Sequence, residues 1–397
     1  MLAHLQDWLT LGIRWIHFIA GAAWIGASFY FNWLNHSLRP PEEERDNIGG
    51  EVWAVHGGDF FQVNKFKGAP EKLPGTLHWF KWEAYLTWFS GFAMLILVYY
   101  LKPGYLVDPS VADITQSQGV MIGVGTIIIG WFVYDLMCKS PLGKNSRLLA
   151  MIGFALVVVV TYSLCQVLGS RAAYIHVGAM LGTIMAANVF FVIIPNQRIM
   201  VDTMSKGEAP DVSLGEAGAL RSLHNNYMTL PVLFVMVSNA HPSTFGHEYN
   251  WLILAALTII GVMTRHYFNL KNKGKKQPLW LVASALGMFV LAYLVSPKPA
   301  PALSQNGAPA AAVTFAEVQT IIEARCTSCH AEKPTYEAFP TPPKGVILTN
   351  YDKIKAHQEK VKTSLETNYM PLGNLTKMTT EERQTVIRWI AQGAQFP

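Results

Sequence analysis

Cys326-Thr327-Ser328-Cys329-His330 spells C-x-x-C-H, the pattern that attaches a c-type haem. The two thiols add to the haem vinyl groups, and the His that follows presents its imidazole to the iron. Zinc would ask for four ligands, usually from a second pair of similar spacing. The other two cysteines, Cys138 and Cys165, lie in or beside apolar segments far up the chain. The box also divides the sequence. Ahead of it run long apolar stretches up to about residue 296; from about residue 313 the composition is that of a small soluble domain.

The flanks of the box fit a haem domain. Thr314 to Glu317 reads as a capping box that opens a helix, with Phe315, Val318, Ile321 and Ile322 recurring at helical spacing. A second capping box, Thr379 to Glu382, starts the last helix, with Val386, Trp389 and Ile390 on one face. Two such helices crossing beside the haem is the layout of small cytochromes c. Between them Tyr369-Met370-Pro371-Leu372 reads as a loop, and Met370 is the expected sixth ligand opposite His330, with Met378 and His357 as alternatives.

Half of the 397 residues are hydrophobic (51%) and few are charged (14%). The net charge of +5 is small and lies mostly in loops that flank apolar segments, so nucleic acid is not an expected partner. About eight segments are predicted to span a lipid bilayer, near 10–34, 79–101, 118–137, 148–168, 172–194, 227–241, 250–270 and 278–296. Trp and Tyr gather at many of their ends. One set of loops carries Arg39, Arg45, Lys65, Lys67, Lys72, Lys139, Lys144, Arg147, Arg198, Lys206, Arg221, Lys271, Lys273, Lys275 and Lys276; the other holds only Lys102, Arg171 and Lys298. The bias puts the first set in the cytoplasm and both termini outside. Haem is attached to C-x-x-C-H boxes on the outer face of bacterial inner membranes, so two unrelated signals give one topology. The expected fold is all-α: a polytopic helix bundle, residues 1–296, a flexible Pro- and Ala-rich linker, 297–313, and a periplasmic cytochrome c domain, 314–397.

Ionisable groups at membrane depth are costly and mark candidate sites. Toward the outer side, Arg14 and His17 lie one turn apart, and His176 follows Arg171. Snorkelling arginines and hydrogen-bonded histidines are one reading; a b-type haem held by His17 and His176 is the other. Toward the inner side, His78, Lys81 and Glu83 open the second span among aromatic residues, and His56 comes from the long loop 35–78, read as a folded cover. These four are the candidate catalytic residues, with an anchoring role as the competing reading. His224-Asn225-Asn226-Tyr227 is a third polar group on the same side.

The stretches Leu77–Phe92 (LHWFKWEAYLTWFSGF), Ser222–Pro242 (SLHNNYMTLPVLFVMVSNAHP), the C-T-S-C-H box and Met370-Pro371-Leu372-Gly373-Asn374 carry a resemblance. With them the chain resembles the bacterial membrane-bound urate oxidases over essentially its whole length. The resemblance implies hydroxylation of urate to 5-hydroxyisourate, with water as the oxygen source. It also implies one covalent haem c per chain and electrons passed to a downstream respiratory cytochrome c or oxidase. Two other functions compete: a respiratory carrier that takes electrons from quinol, and a transporter whose cytochrome is only a sensor.

Overall fold

Long apolar runs become long helices because the backbone must satisfy its own hydrogen bonds when water is excluded. The computed structural model describes residues 2–43, 45, 47–67, 73–102, 104–296, 312–336, 339 and 341–396. Helix α1 (Leu2–Ser37) leads into an antiparallel hairpin, β1 (Ile48–His56) and β2 (Asp59–Phe66). Then come α2 (Trp82–Leu95), α3 (Gln116–Lys139), α4 (Ser146–Cys165), α5 (Ser170–Ala187), α6 (Ile194–Ser205), α7 (Val212–Ser238) and the short α8 (Pro242–Phe245). Helices α9 (Asn250–Asn272) and α10 (Leu279–Leu294) end the bundle. Two joints are π-helical: Ile96–Tyr100 closes α2, and Asn188–Ile193 runs α5 into α6 without a break. Five helical stretches are long and apolar enough to cross a membrane, at 4–37, 116–139, 146–165, 170–205 and 250–272, and α10 is apolar but shorter.

The molecule is mostly helical, as expected, with one correction to the all-α reading. The long loop between the first two helices holds a two-stranded sheet. Gly57 and Gly58 sit at the turn with φ of 64° and 90°, where a two-residue hairpin turn needs both centres left-handed. Arg39 pairs through its backbone with Glu51, and Arg45 and Gln62 both bind the buried Glu51 carboxylate. A second difference concerns α7. It begins at Val212, capped by Asp211, and not near residue 227, and it carries Pro231 in its interior.

The bundle core is built from α2, α3, α4, α5, α7 and α9, around Tyr99, Leu106, Leu164, Leu168, Tyr174, Met180 and Val235. The C-terminal domain has its own core. Helices α11 (Phe315–Arg325) and α15 (Thr380–Ala391) bury Phe315, Val318, Ile322, Val386, Trp389 and Ile390 against one another. Helix α12 (Thr327–His330) carries the C-x-x-C-H box, and α13 (Tyr351–Ala356) and α14 (Gln358–Glu366) complete the shell. Both predicted capping boxes form, at Thr314/Glu317 and Thr379/Glu382. Of the predicted linker, residues 297–311 lie outside the described residues.

Candidate functional site

Two cavities lie at opposite ends of the bundle, called outer and inner after the sides expected from the sequence. The outer one, about 610 Å³, is the seam between the bundle and the C-terminal domain, with Tyr105, Asp108, Arg171, Phe245, Glu248 and Tyr369 in its wall. Backbone packs on backbone at this seam. A Cβ at Gly104 would meet the Leu375 side chain at 2.8 Å, and one at Gly373 would meet the Gly104 carbonyl at 2.6 Å. Only glycines allow that approach, and both have positive φ, 79° and 52°. Arg171 donates from Nε to Asn239 Oδ1 at 2.7 Å, and its guanidinium lies 5.7 and 5.6 Å from the ring centres of Tyr99 and Tyr105. The Tyr99 hydroxyl donates to the same Asn239 oxygen at 3.0 Å. Among the described residues, no atom of that cluster is buried without a partner.

Above the seam stands the C-x-x-C-H box. His330 Nδ1 donates to the Val346 carbonyl at 3.0 Å, which fixes the tautomer and leaves Nε2 with a free lone pair. Burial pushes the Cys326 thiol up to about 12 and raises Cys329 as well, so both stay as S–H at neutral pH. Arg325 binds Glu382 through Nε and Nη2 and the Thr376 carbonyl through Nη1, which ties α11 to α15 directly before the box. Arg383 holds the Met370 and Leu365 carbonyls and so fixes the Met loop. Met370 is half-buried in that loop, whereas Met378 is 4% exposed within the apolar core. His357 joins α13 to α14 close enough to lower the His330 imidazole after burial has done so. Thiols, imidazole and Met loop thus fit a covalent haem c. Among the described residues no group of three or more His, Cys, Asp or Glu is placed to hold a metal ion, so zinc has no ligand set.

The b-type haem reading fares differently. His17 Nδ1 donates to the Thr87 carbonyl at 2.9 Å, and its ring lies against Gly91. His176 is fully buried; Nδ1 donates to the Ala172 carbonyl at 2.8 Å, and Nε2 accepts from the Tyr100 hydroxyl at 3.1 Å. Both nitrogens of His176 are taken, and the two imidazoles meet α2 and its π joint at stations more than two turns apart. The pair does not fit one haem in this arrangement. Arg14 is exposed on α1.

The inner cavity, about 880 Å³, lies between α1, residues 78–80, the α5–α6 joint and α7. Trp24, Phe31, Trp79 and Phe80 give it aromatic walls, and Asn196, Gln197, Asn225 and Asn226 give it amides. His78 lines it, with its ring 4.5 Å from that of Phe80. The rest of the expected quartet is elsewhere. Lys81 caps α2 with Nζ 5.8 Å from the Trp82 ring centre, Glu83 sits in the first turn, and His56 stands exposed at the hairpin turn opposite Asp59. None of these three lines the cavity.

Behind the amides lie two buried arginines: Arg221, expected in a cytoplasmic loop but 4% exposed inside α7, and Arg265, which the sequence reading passed over. Arg221 donates to Asp135 at 2.7 Å and to Asn188, which is fully buried on the π joint. Asn188 in turn donates to Asn225 and to the Tyr134 hydroxyl, which bonds His224 Nδ1 at 2.8 Å. Arg265, on α9, donates from Nε to Asn226 Oδ1 at 2.9 Å and lies 3.8 Å above the Phe29 ring centre. Both Arg265 and Asp135 fall inside predicted spans, so a scan for ionisable residues at membrane depth would have found them.

A family model described as urate oxidase N-terminal matches residues 3–296. The chain belongs to that family. The matched segment stops where the bundle stops, and it contains both cavities' bundle walls, the aromatic segment 78–80 and the two arginine networks. Searches of the curated proteins and of the solved structures gave no match.

Proposed function

We propose that this urate oxidase family member oxidises urate to 5-hydroxyisourate in the inner cavity and delivers the electrons to its own C-terminal domain. The observation that carries the reading is the family match over 3–296. The reaction balances as urate plus water giving 5-hydroxyisourate, two protons and two electrons, with a respiratory cytochrome or oxidase as the final acceptor. A c-type haem, bound through Cys326, Cys329, His330 and Met370, supplies the one-electron outlet. In the inner cavity Trp79 and Phe31 flank the planar ring, the amides of Asn225 and Asn226 orient its edge, and His78 takes a proton as water adds.

The bundle spans a bacterial inner membrane in this reading, with the C-terminal domain in the periplasm. Two features support it: the long apolar helices, and the seating of that domain against the loops around 101–111, 166–171 and 239–250, the set poor in Lys and Arg. A hydrocarbon core about 30 Å thick separates the inner cavity from the box, so the electrons need stations on the way. Tyr99 and Tyr105, with ring centres 6.4 Å apart, lead from α2 to the box side of the seam.

Membranes that hold the protein provide the test. Urate should reduce the haem c spectrum and quinol should not; reduction by quinol alone would replace the urate reading with that of a respiratory carrier.

A further inference from the structure

Buried polar atoms without partners are rare, because each forfeits its hydration for nothing. Among the described residues, side-chain atoms of this kind occur at five residues, and three of these form one cluster: Arg265 Nη2, Asn226 Nδ2 and Asn269 Oδ1. The three side chains are 4%, 3% and 4% exposed. Asn226 Oδ1 accepts from Arg265 Nε and from Asn269 Nδ2, both at 2.9 Å, and its own amide nitrogen is left over. Of the three, only Asn226 is in the wall of the inner cavity; Arg265 and Asn269 stand behind it, bonded to its Oδ1. Arg265 has no carboxylate partner among the described ion pairs, in contrast to Arg221, which has Asp135. The Phe29 ring offers its face to the cation and leaves the positive charge uncancelled. At 4% exposure Arg265 does not reach lipid headgroups, so snorkelling does not account for it.

We infer that Asn226 in the wall and the uncancelled charge of Arg265 behind it form the anion-recognition head of the inner cavity. The unused Asn226 amide N–H can donate to an anionic acceptor on the edge of a planar heterocyclic monoanion, and the Arg265 charge one hydrogen bond away favours the anion over a neutral ring. An oxopurine monoanion has this edge, and a neutral purine lacks the charge that Arg265 would meet. The assignment rests on reading this cavity as the urate site. It adds which side chains choose the anion and why an arginine stands unpaired inside the bundle.

Binding to the detergent-solubilised full chain tests it, with urate and with hypoxanthine, a purine that is neutral at pH 7. Arg265→Gln should weaken urate by roughly tenfold, the loss of the positive charge behind Asn226, and leave hypoxanthine unchanged. Asn226→Asp covers the case in which Arg265→Gln fails to fold. It gives Arg265 a carboxylate, so the fold gains an ion pair while the site meets urate with a negative charge, and urate should again weaken by roughly tenfold. A folded Arg265→Gln or Asn226→Asp protein with wild-type urate affinity overturns the assignment and leaves the urate reading intact. A wild-type protein that binds no urate removes the urate reading, and this assignment with it.

Discussion

The two ends of the bundle are built from similar parts and completed differently. Each has an arginine among aromatic rings, a nearby asparagine and a π-helical joint. At the outer end Arg171 and Tyr99 share the Asn239 oxygen, no atom of the three is buried without a partner, and the space Arg171 lines is a seam between two folded units. At the inner end Arg265, Asn226 and Asn269 leave donors and an acceptor unused beside a cavity large enough for a purine. A closed network holds structure in place, whereas an open one in a dry interior waits for a ligand. Charge, aromatic content and cavity size alone do not separate the two ends; the hydrogen-bond account does.

The largest expected effect comes from taking away the haem proposed for the C-terminal domain. Replacing Cys326 and Cys329 together with Ser should abolish covalent haem and bring urate-driven electron outflow to background. Urate binding should stay at the wild-type level, since the cavity lies at the other end. Haem staining and equilibrium dialysis on the same sample would show whether the two ends separate in this way; parallel loss of binding would merge them.

A matched pair of substitutions sharpens the contrast. Gly218 lines the inner cavity, and a Cβ built there meets nothing within 4 Å. Gly218→Leu should fill that space and raise the KM for urate roughly tenfold. The melting temperature should not fall, because glycine costs a helix about 1 kcal/mol relative to better formers. Arg171→Leu at the seam should do the reverse, leaving KM as it is and slowing the arrival of electrons at the haem. Stopped-flow reduction at varied urate would expose an exchange of these two signatures, and with it a substrate site at the outer end.

The smallest effect tests the frame of the box alone. The Arg325 guanidinium holds the Glu382 carboxyl below its ordinary range. A carboxylate with a lowered folded value stabilises above its unfolded value, about pH 4.3, and the contribution is lost as pH falls through the folded value. Glu382→Gln should therefore cost about 1 kcal/mol near neutrality, discounted for partial exposure, and nothing in strong acid. Thermal melts at both ends of that range would detect it, and urate affinity should not move.

Much of this was legible in the chain. Hydropathy placed the long helices, and the capping boxes placed α11 and α15 to the residue. The start of α7 was missed because Arg221, His224, Asn225 and Asn226 face inward, and a hydropathy window averages them with apolar neighbours as if they were a loop. The hairpin was missed although Gly57-Gly58 marks its turn, because its strands are largely exposed and lack clean alternation. At the candidate site, His78 and the Asn225-Asn226 pair were read on one side of the bundle, and they line one cavity. Lys81, Glu83 and His56 were grouped with them by nearness in sequence, which says nothing of where a helix start or a hairpin tip points. Arg265 needed only the rule about charges inside spans. Its missing partner is a property of three helices together, and no single stretch records it.

The two π joints have a meaning for descent. Each winds one residue more into its helix than regular geometry calls for, and such joints collect at functional places. Tyr99 and Tyr100 sit on one, Asn188 on the other. Deleting one codon within 188–193 would turn everything beyond it by about 100°, swinging Asn196 and Gln197 out of the inner wall while leaving an equally apolar helix. A lineage can thus gain or discard either station in a single genetic step without touching the bundle, and members of the family that lack the extra residue are the place to look for altered substrates.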